Sequence, residues 1–427
     1  MNANGSIRRM DHGDILLNLF LGTEIEGGPA NLYLRRHGTS IEAVPLLGPQ
    51  SPAAIHLDER GISAGGEWHG IRFRVSLVLA ESTPAWFWHL RLENTLDTAE
   101  KLDLIYAQDL ALAHYGAVRI NEYYTSHYVD HTPLSHPERG IVLASRQNLS
   151  MAGRQPWCVI GTFGKGVGFA SDALQFHGLA TRAGQVPVGL AEGLDTVRRQ
   201  HENAMAVIQD APVRLGQGEV IERGFFGWFE ADHPEATSAK DLVFVDKAIG
   251  LPEAVPAFDS NAPYGSEPPA SLFTSAPLLD PQDLTEAEIA DLFGTELRAV
   301  EREDGKILSF FTGTNRHVVL KAKELSVLRP HMQILRTGHR LIPEEAALTS
   351  NTWMGGVFHA MVTQGHVSIN RFLSTPHSYL GLFRGNGLRL FVEMADGWHL
   401  LDVPSAFEMT PESSRWIYKH SDGLIEI

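Results

Sequence analysis

The chain has 427 residues, a formal net charge of −16, 43% hydrophobic residues and a single cysteine, Cys158. That length suggests two or three domains at about 150 residues each, and it can bury a sizeable core. The acidic balance repels phosphate backbones and anionic lipid, the lone cysteine rules out an intramolecular disulfide, and no run approaches the ~18 apolar residues of a membrane span.

From the N-terminus, Arg8 and Arg9 precede an apolar stretch broken by Asp11, Asp14 and Asn18, with no small-residue cleavage site. This is not a signal peptide, so a cytoplasmic location is expected. Alternation of period two then dominates. Ile71, Phe73, Val75 and Leu77 share one face, as do Trp86, Trp88, Leu90 and Leu92, and Leu102, Leu104 and Tyr106 continue the pattern. Successive side chains of a strand point to opposite faces, so these segments read as strands with one buried face. Thr162-Phe163-Gly164-Lys165-Gly166-Val167 reads as a hairpin tip, and Cys158, between Trp157 and Val159, reads as a buried, inert thiol.

Residues 251–281 are rich in proline, serine and alanine, a composition suited to a connection. Thr285 and Glu288 form a capping box, and Ile289, Leu292, Phe293 and Leu297 follow at helical spacing, with Asp304-Gly305 as the stop. Later, Arg384-Gly385-Asn386-Gly387 and Asp396-Gly397 divide residues 379–403 into a three-stranded meander, because both pairs tolerate positive φ. Ser421-Asp422-Gly423 marks a last hairpin whose second arm, Leu424–Ile427, is short for a strand. The expected fold is therefore mainly β, an antiparallel β-(super)sandwich: an N-terminal β-sandwich over residues 1–250, a connection over 251–320 carrying one helix at 285–303, and a second β-rich region over 321–427, expected to be truncated.

Catalytic patterns are sparse. Gly161–Gly168 lacks the spacing of a phosphate loop, and no Gly-x-Ser-x-Gly occurs. His127 and His131, with Asp130, stand at i, i+4, but the segment reads as extended, so no metal site is expected. The carboxylates Asp11, Asp14, Glu24, Glu26, Asp109, Glu122 and Asp130 offer candidates for an acid–base pair, and spacing alone selects none. Sugars stack C–H faces on aromatic rings and bind polar groups through their hydroxyls. Tyr123, Tyr124, His127, Tyr128 and His131 mix both kinds of group and are the candidate substrate-binding residues.

Whole phrases carry a resemblance. Residues 4–20, Glu26–Arg36, Gln108–His131, Ser145–Asn148, Phe229–Pro234 and Met361–Phe383 are similar to 1,2-β-oligoglucan phosphorylases of glycoside hydrolase family 94, formerly glycosyltransferase family 36. Cyclic β-1,2-glucan synthases carry a similar region. The resemblance implies an N-terminal β-sandwich, a helical linker, an (α/α)₆ catalytic barrel and a small C-terminal β domain. It also implies inverting phosphorolysis of β-1,2-linked glucose oligosaccharides to α-glucose 1-phosphate, with inorganic phosphate as co-substrate and no cofactor. The family's catalytic Asp and phosphate-binding residues sit in the barrel, and no position here matches them, so no catalytic or metal residue is assigned. A homodimer built through the sandwich is expected, without nucleic acid or membrane partners. The alternative is a stand-alone carbohydrate-binding β-sandwich module.

Overall fold

The computed structural model describes residues 1–20, 22, 28–58, 61–120, 122–178, 186–199, 204–256, 258, 272, 276–314, 316–326, 332–333, 351–353, 360–361, 390–410 and 413–427. The chain forms two compact units, one of residues 1–178 with 186–270, the other of 179–185 with 271–427. Both are mainly β, with large, curled, antiparallel-rich sheets.

The strands of the first unit are, in chain order, β1 (Asp11–His12), β2 (Ile15–Leu16), β3 (Asn31–His37), β4 (Ile41–Pro45), β5 (Ala53–Asp58) and β6 (Gly61–Trp68). There follow β7 (Ile71–Leu79), β8 (Ala85–Asn94), β9 (Glu100–Asp109), β10 (Ala113–His114), β11 (Val129–His136) and β12 (Gly140–Gln147). The unit closes with β13 (Trp157–Thr162), β14 (Gly166–Asp172), β15 (Ala204–Asp210), β16 (Val213–Leu215) and β17 (Val220–Glu230). β1, β2 and β10 make a small sheet of their own. The others form one 14-stranded sheet ordered β4-β3-β9-β15-β14-β12-β13-β17-β8-β7-β6-β5, with β11 beside β12 and β16 beside β9.

This sheet curls back on itself. β8 and β9 are separated by five strands in the sheet order, yet Trp86 Nε1 on β8 donates to the Tyr106 hydroxyl on β9 at 3.0 Å. The ring of Phe225 on β17 lies 5.6 Å from that of Tyr106. The inner face therefore collects the alternating residues read from sequence: Ile71, Phe73 and Val75 on β7, Trp86, Trp88, Leu90 and Leu92 on β8, and Leu102, Leu104 and Tyr106 on β9, all buried. Each such side chain contributes about 1.5–3 kcal/mol by leaving water. Gly227, directly opposite Trp86 in the β17–β8 pairing, leaves room for that indole, since a Cβ there would fall 2.0 Å from it.

The expectation of one buried face fails for β8. Its other face is buried too, at Phe87 and His89. A helix at Leu242–Ile249, missed in the sequence, lays Val245 and Ala248 on Phe87, Trp157, Val159, Phe226 and Trp228. Ala254, at the start of the proline-rich stretch, joins the same core. The hairpin expected at Thr162–Val167 is corrected as well: β13 and β14 both flank β12 and do not pair with each other. Asp210 holds that turn, accepting from Thr162 Oγ1 at 3.0 Å and Lys165 N at 2.9 Å, and so draws it toward β15. Cys158 is buried, which pushes its thiol pKa up.

In the second unit a six-stranded sheet runs Arg298–Glu303, Lys306–Thr312, Arg316–Leu320, Ala406–Met409, Ser414–His420 and Gly423–Glu426. The strands Arg298–Glu303, Lys306–Thr312 and Arg316–Leu320 thus lie where the connection was expected. The capping box is present, with the Thr285 and Glu288 side chains bonding reciprocally, but the helix covers Glu286–Phe293 and stops at Gly294, whose φ is 87°. Asp304 and Gly305 do not end a helix. Both have positive φ, 49° and 80°, and they turn a hairpin in which Glu303 faces Lys306. The Asp396-Gly397 hairpin forms, with Phe391–Met394 paired to Gly397–Leu400, as does the last hairpin, with His420 opposite Gly423. The first arm of the expected meander, residues 379–382, lies outside the described residues.

Candidate functional site

The candidate segment 123–131 is extended only at its end, from Val129. Glu122–His127 is a short helix, and β11 begins at Val129. Tertiary bonds override the β-preference of its aromatic residues. Gln147 Nε2 donates to Thr125 O at 3.1 Å, and Ala204 N donates to the buried Ser126 hydroxyl. Tyr123 lies on this helix. Tyr124 and Tyr128 are exposed at 49% and 37%. Their rings meet edge-on at 5.0 Å, and the Tyr128 hydroxyl donates to that of Tyr124 at 3.3 Å. This contact raises the Tyr128 pKa. His127 is also exposed.

His131 is different in kind. It is buried inside β11, with Nδ1 bonded to Ser145 Oγ at 2.9 Å. Its Nε2 has no hydrogen-bond partner among the described residues. Burial, with the nearby Arg198 cation, lowers its pKa to about 3, so it stands as a neutral core residue. The structure therefore brings Tyr124, His127 and Tyr128 to the surface and sets His131 in the interior.

A cavity of about 640 Å³ lies elsewhere in the first unit. Residues from the N-terminal segment, among them Arg9, Met10, Asp11 and His12, form one wall. The loop from β7 to β8 also lines it, with Glu81, Ser82 and Thr83. Trp86, Trp88 and Phe229 line it and are almost wholly buried, a floor that presents almost no ring surface to the cavity. His12 packs against Phe229 with ring centroids 5.6 Å apart. Arg9 pairs with Asp11 at 3.0 Å and places its guanidinium 5.6 Å from the Tyr115 ring centre.

A buried relay fixes this floor. Trp86 Nε1 donates to Tyr106, whose hydroxyl donates to Gln108 Oε1 at 2.9 Å. Gln108 Nε2 donates to Asp109 O at 3.0 Å. The Asp109 carboxylate accepts from Leu19 N at 2.8 Å and Phe20 N at 2.7 Å. Burial raises Asp109 to about 7 against these bonds. The N-terminal segment and the cavity floor are so held by one set of β9 side chains. In sequence Trp86 and Trp88 read only as core, Asp11 was one of several carboxylates, and Glu81 carried no signal.

Fold and cavity together define the first unit as a curled antiparallel sheet closed around an aromatic interior. Residues 1–227 match the SOGP N-terminal domain, and residues 296–427 match the glycoside phosphorylase supersandwich domain. The chain belongs to the SOGP family of glycoside phosphorylases. It is 29% identical over 430 residues to a 1,2-beta-oligoglucan phosphorylase of Listeria innocua serovar 6a, covering 99% of this chain and 37% of that protein. The chain thus spans little more than a third of that relative's length. Among solved structures, a polysaccharide lyase aligns at 8% identity and TM-score 0.35, covering 54% of this chain and 31% of the other. A bacterial glucoamylase aligns at 8% identity and TM-score 0.34, covering 57% and 31%. Scores this low carry no argument.

Proposed function

We propose that these 427 residues are the non-catalytic N-terminal region of a cytoplasmic β-1,2-oligoglucan phosphorylase, serving homodimerisation and oligosaccharide positioning. The observation that carries this reading is the order of the two matched domains, together with similarity along 99% of the chain to a protein of that activity. In the parent reaction, phosphate attacks the anomeric carbon of a β-1,2-linked glucose while a carboxylic acid of the catalytic domain protonates the departing oxygen. The product is α-glucose 1-phosphate. Phosphate replaces the base-activated water of an inverting hydrolase, so one protein carboxyl suffices.

No residue of this chain takes a catalytic role in that scheme. The exposed Tyr124–Tyr128 pair and His127 offer rings and polar tips on one surface, which suits contact with sugar. Among the described residues no helix is long and apolar enough to cross a membrane. The reading is tested on the 427-residue protein by light scattering and by turnover. The expected results are twice the chain mass of 47.0 kDa and no glucose 1-phosphate from sophorotriose and phosphate. A monomer removes the dimerising role, and measurable turnover overturns the non-catalytic assignment.

A further inference from the structure

We propose that the exposed Tyr124–Tyr128 pair is a chain-holding subsite that grips consecutive units of a β-1,2-glucan and disfavours flat β-1,4 chains. The inference deepens the phosphorylase reading above, on which it rests, by giving this surface a linkage and a chain-length preference.

Four observations carry it. The rings are open, with Tyr124 49% and Tyr128 37% exposed. Their backbone is held from beneath. Gln147 Nε2 donates to Thr125 O, Ala204 N donates to the buried Ser126 hydroxyl, and Asn148 N donates to the Tyr128 carbonyl at 2.9 Å. The site therefore needs little reordering on binding. Polar groups stand beside the rings: their own hydroxyls, and the exposed Asn148 amide, whose Oδ1 accepts from Arg146 and so leaves Nδ2 to donate. Finally, the ring planes are inclined at 60°, with centroids 5.0 Å apart.

This arrangement selects the ligand class. The described charges next to the pair are already engaged, Asp130 with Arg198, and Arg146 with Asn148 and the carbonyls of His233 and Pro234. A charged ligand finds no open counter-charge among them. A purely apolar partner would cover the hydroxyls and the amide without pairing them, which costs free energy. A glucan chain meets both needs, with C–H faces on the rings and hydroxyls on the polar groups. The inclination then discriminates between linkages. A β-1,4 chain is a flat ribbon and lies best on coplanar rings. A β-1,2 chain turns at each linkage, so successive units present their faces at an angle to one another, as these two rings do.

The test is calorimetric titration of the 427-residue protein with sophorose, the β-1,2-linked pentasaccharide and cellopentaose. Saturable binding of the β-1,2 pentasaccharide is expected, about tenfold tighter than sophorose and tighter than cellopentaose. Tyr124→Ala and Tyr128→Ala should each weaken it about tenfold, the scale of one lost ring contact. Tyr124→Phe, which keeps the ring, should retain it, with unchanged circular dichroism in all three variants. No saturable binding, equal binding of cellopentaose, or binding that both alanine variants leave unchanged overturns the inference. The parent reading is decided separately, by the light-scattering and turnover results.

Discussion

Replacing Asp103 by leucine should destabilise the first unit more than almost any other single change. Arg35 on β3 lies directly opposite Asp103 on β9. Its Nε and Nη2 each donate to an Asp103 oxygen at 2.7 Å, and the two side chains are only 1% and 0% exposed. Arg35 Nη1 also reaches the carbonyls of Gly189 and Leu190, at 3.2 and 3.3 Å. Asp103 further binds His37 at 2.9 Å and Gln209 at 2.8 Å. Removing the carboxylate strands a buried guanidinium, which costs roughly 3–5 kcal/mol. Arg35→Met should cost less, because His37 and Gln209 still satisfy Asp103. The double variant Arg35→Met/Asp103→Leu should lose far less than the sum of the two, since neither charge is then left alone. Urea denaturation followed by tryptophan fluorescence measures all three. Losses that add to within about 0.5 kcal/mol would show the pair to be uncoupled and refute the reasoning.

Two further outcomes follow from buried polar groups. Tyr106→Phe removes the acceptor of the Trp86 indole and the donor to Gln108, and should cost about 1–3 kcal/mol for each buried group left unpaired, read as a lowered denaturation midpoint. His131 should contribute acid sensitivity. Its folded pKa, about 3, lies below the ordinary 6.5, because burial disfavours the cation. The unfolded chain therefore binds the proton first, and stability is lost as pH falls from 6.5 toward 3. His131→Asn should flatten that slope between pH 6 and pH 4 in pH-dependent melting.

Much of the fold was legible in the chain. The alternation along Ile71–Leu77 and Trp86–Leu92 marked β7 and β8 and their inward face, because period two is a local signal. The second buried face of β8 was not legible. Phe87 is covered by the helix at Leu242–Ile249 and His89 bonds the Glu253 carbonyl, partners more than 150 residues away, and nothing local announces them. Asp304-Gly305 reads equally as a helix stop or a hairpin turn, and only pairing with Lys306–Thr312 decides. Residues 123–127 misled for a related reason: their rings favour a strand, while Gln147 and Ala204 hold them helical, and only from Val129 is the segment extended as read. Of the candidate residues, Tyr124, His127 and Tyr128 do reach the surface. His131 does not, since burial of an imidazole carries no local sequence mark. The cavity unites Asp11, Glu81, Trp86 and Phe229, a set that only the curl of the sheet assembles.

The most direct check is product analysis after prolonged incubation of the concentrated 427-residue protein with sophorotriose, once with inorganic phosphate and once without. The expected result is intact trisaccharide in both, as befits sheets that support chemistry performed on other residues. Glucose 1-phosphate in the first sample, or free glucose in the second, would place a working active site within this chain and contradict that role.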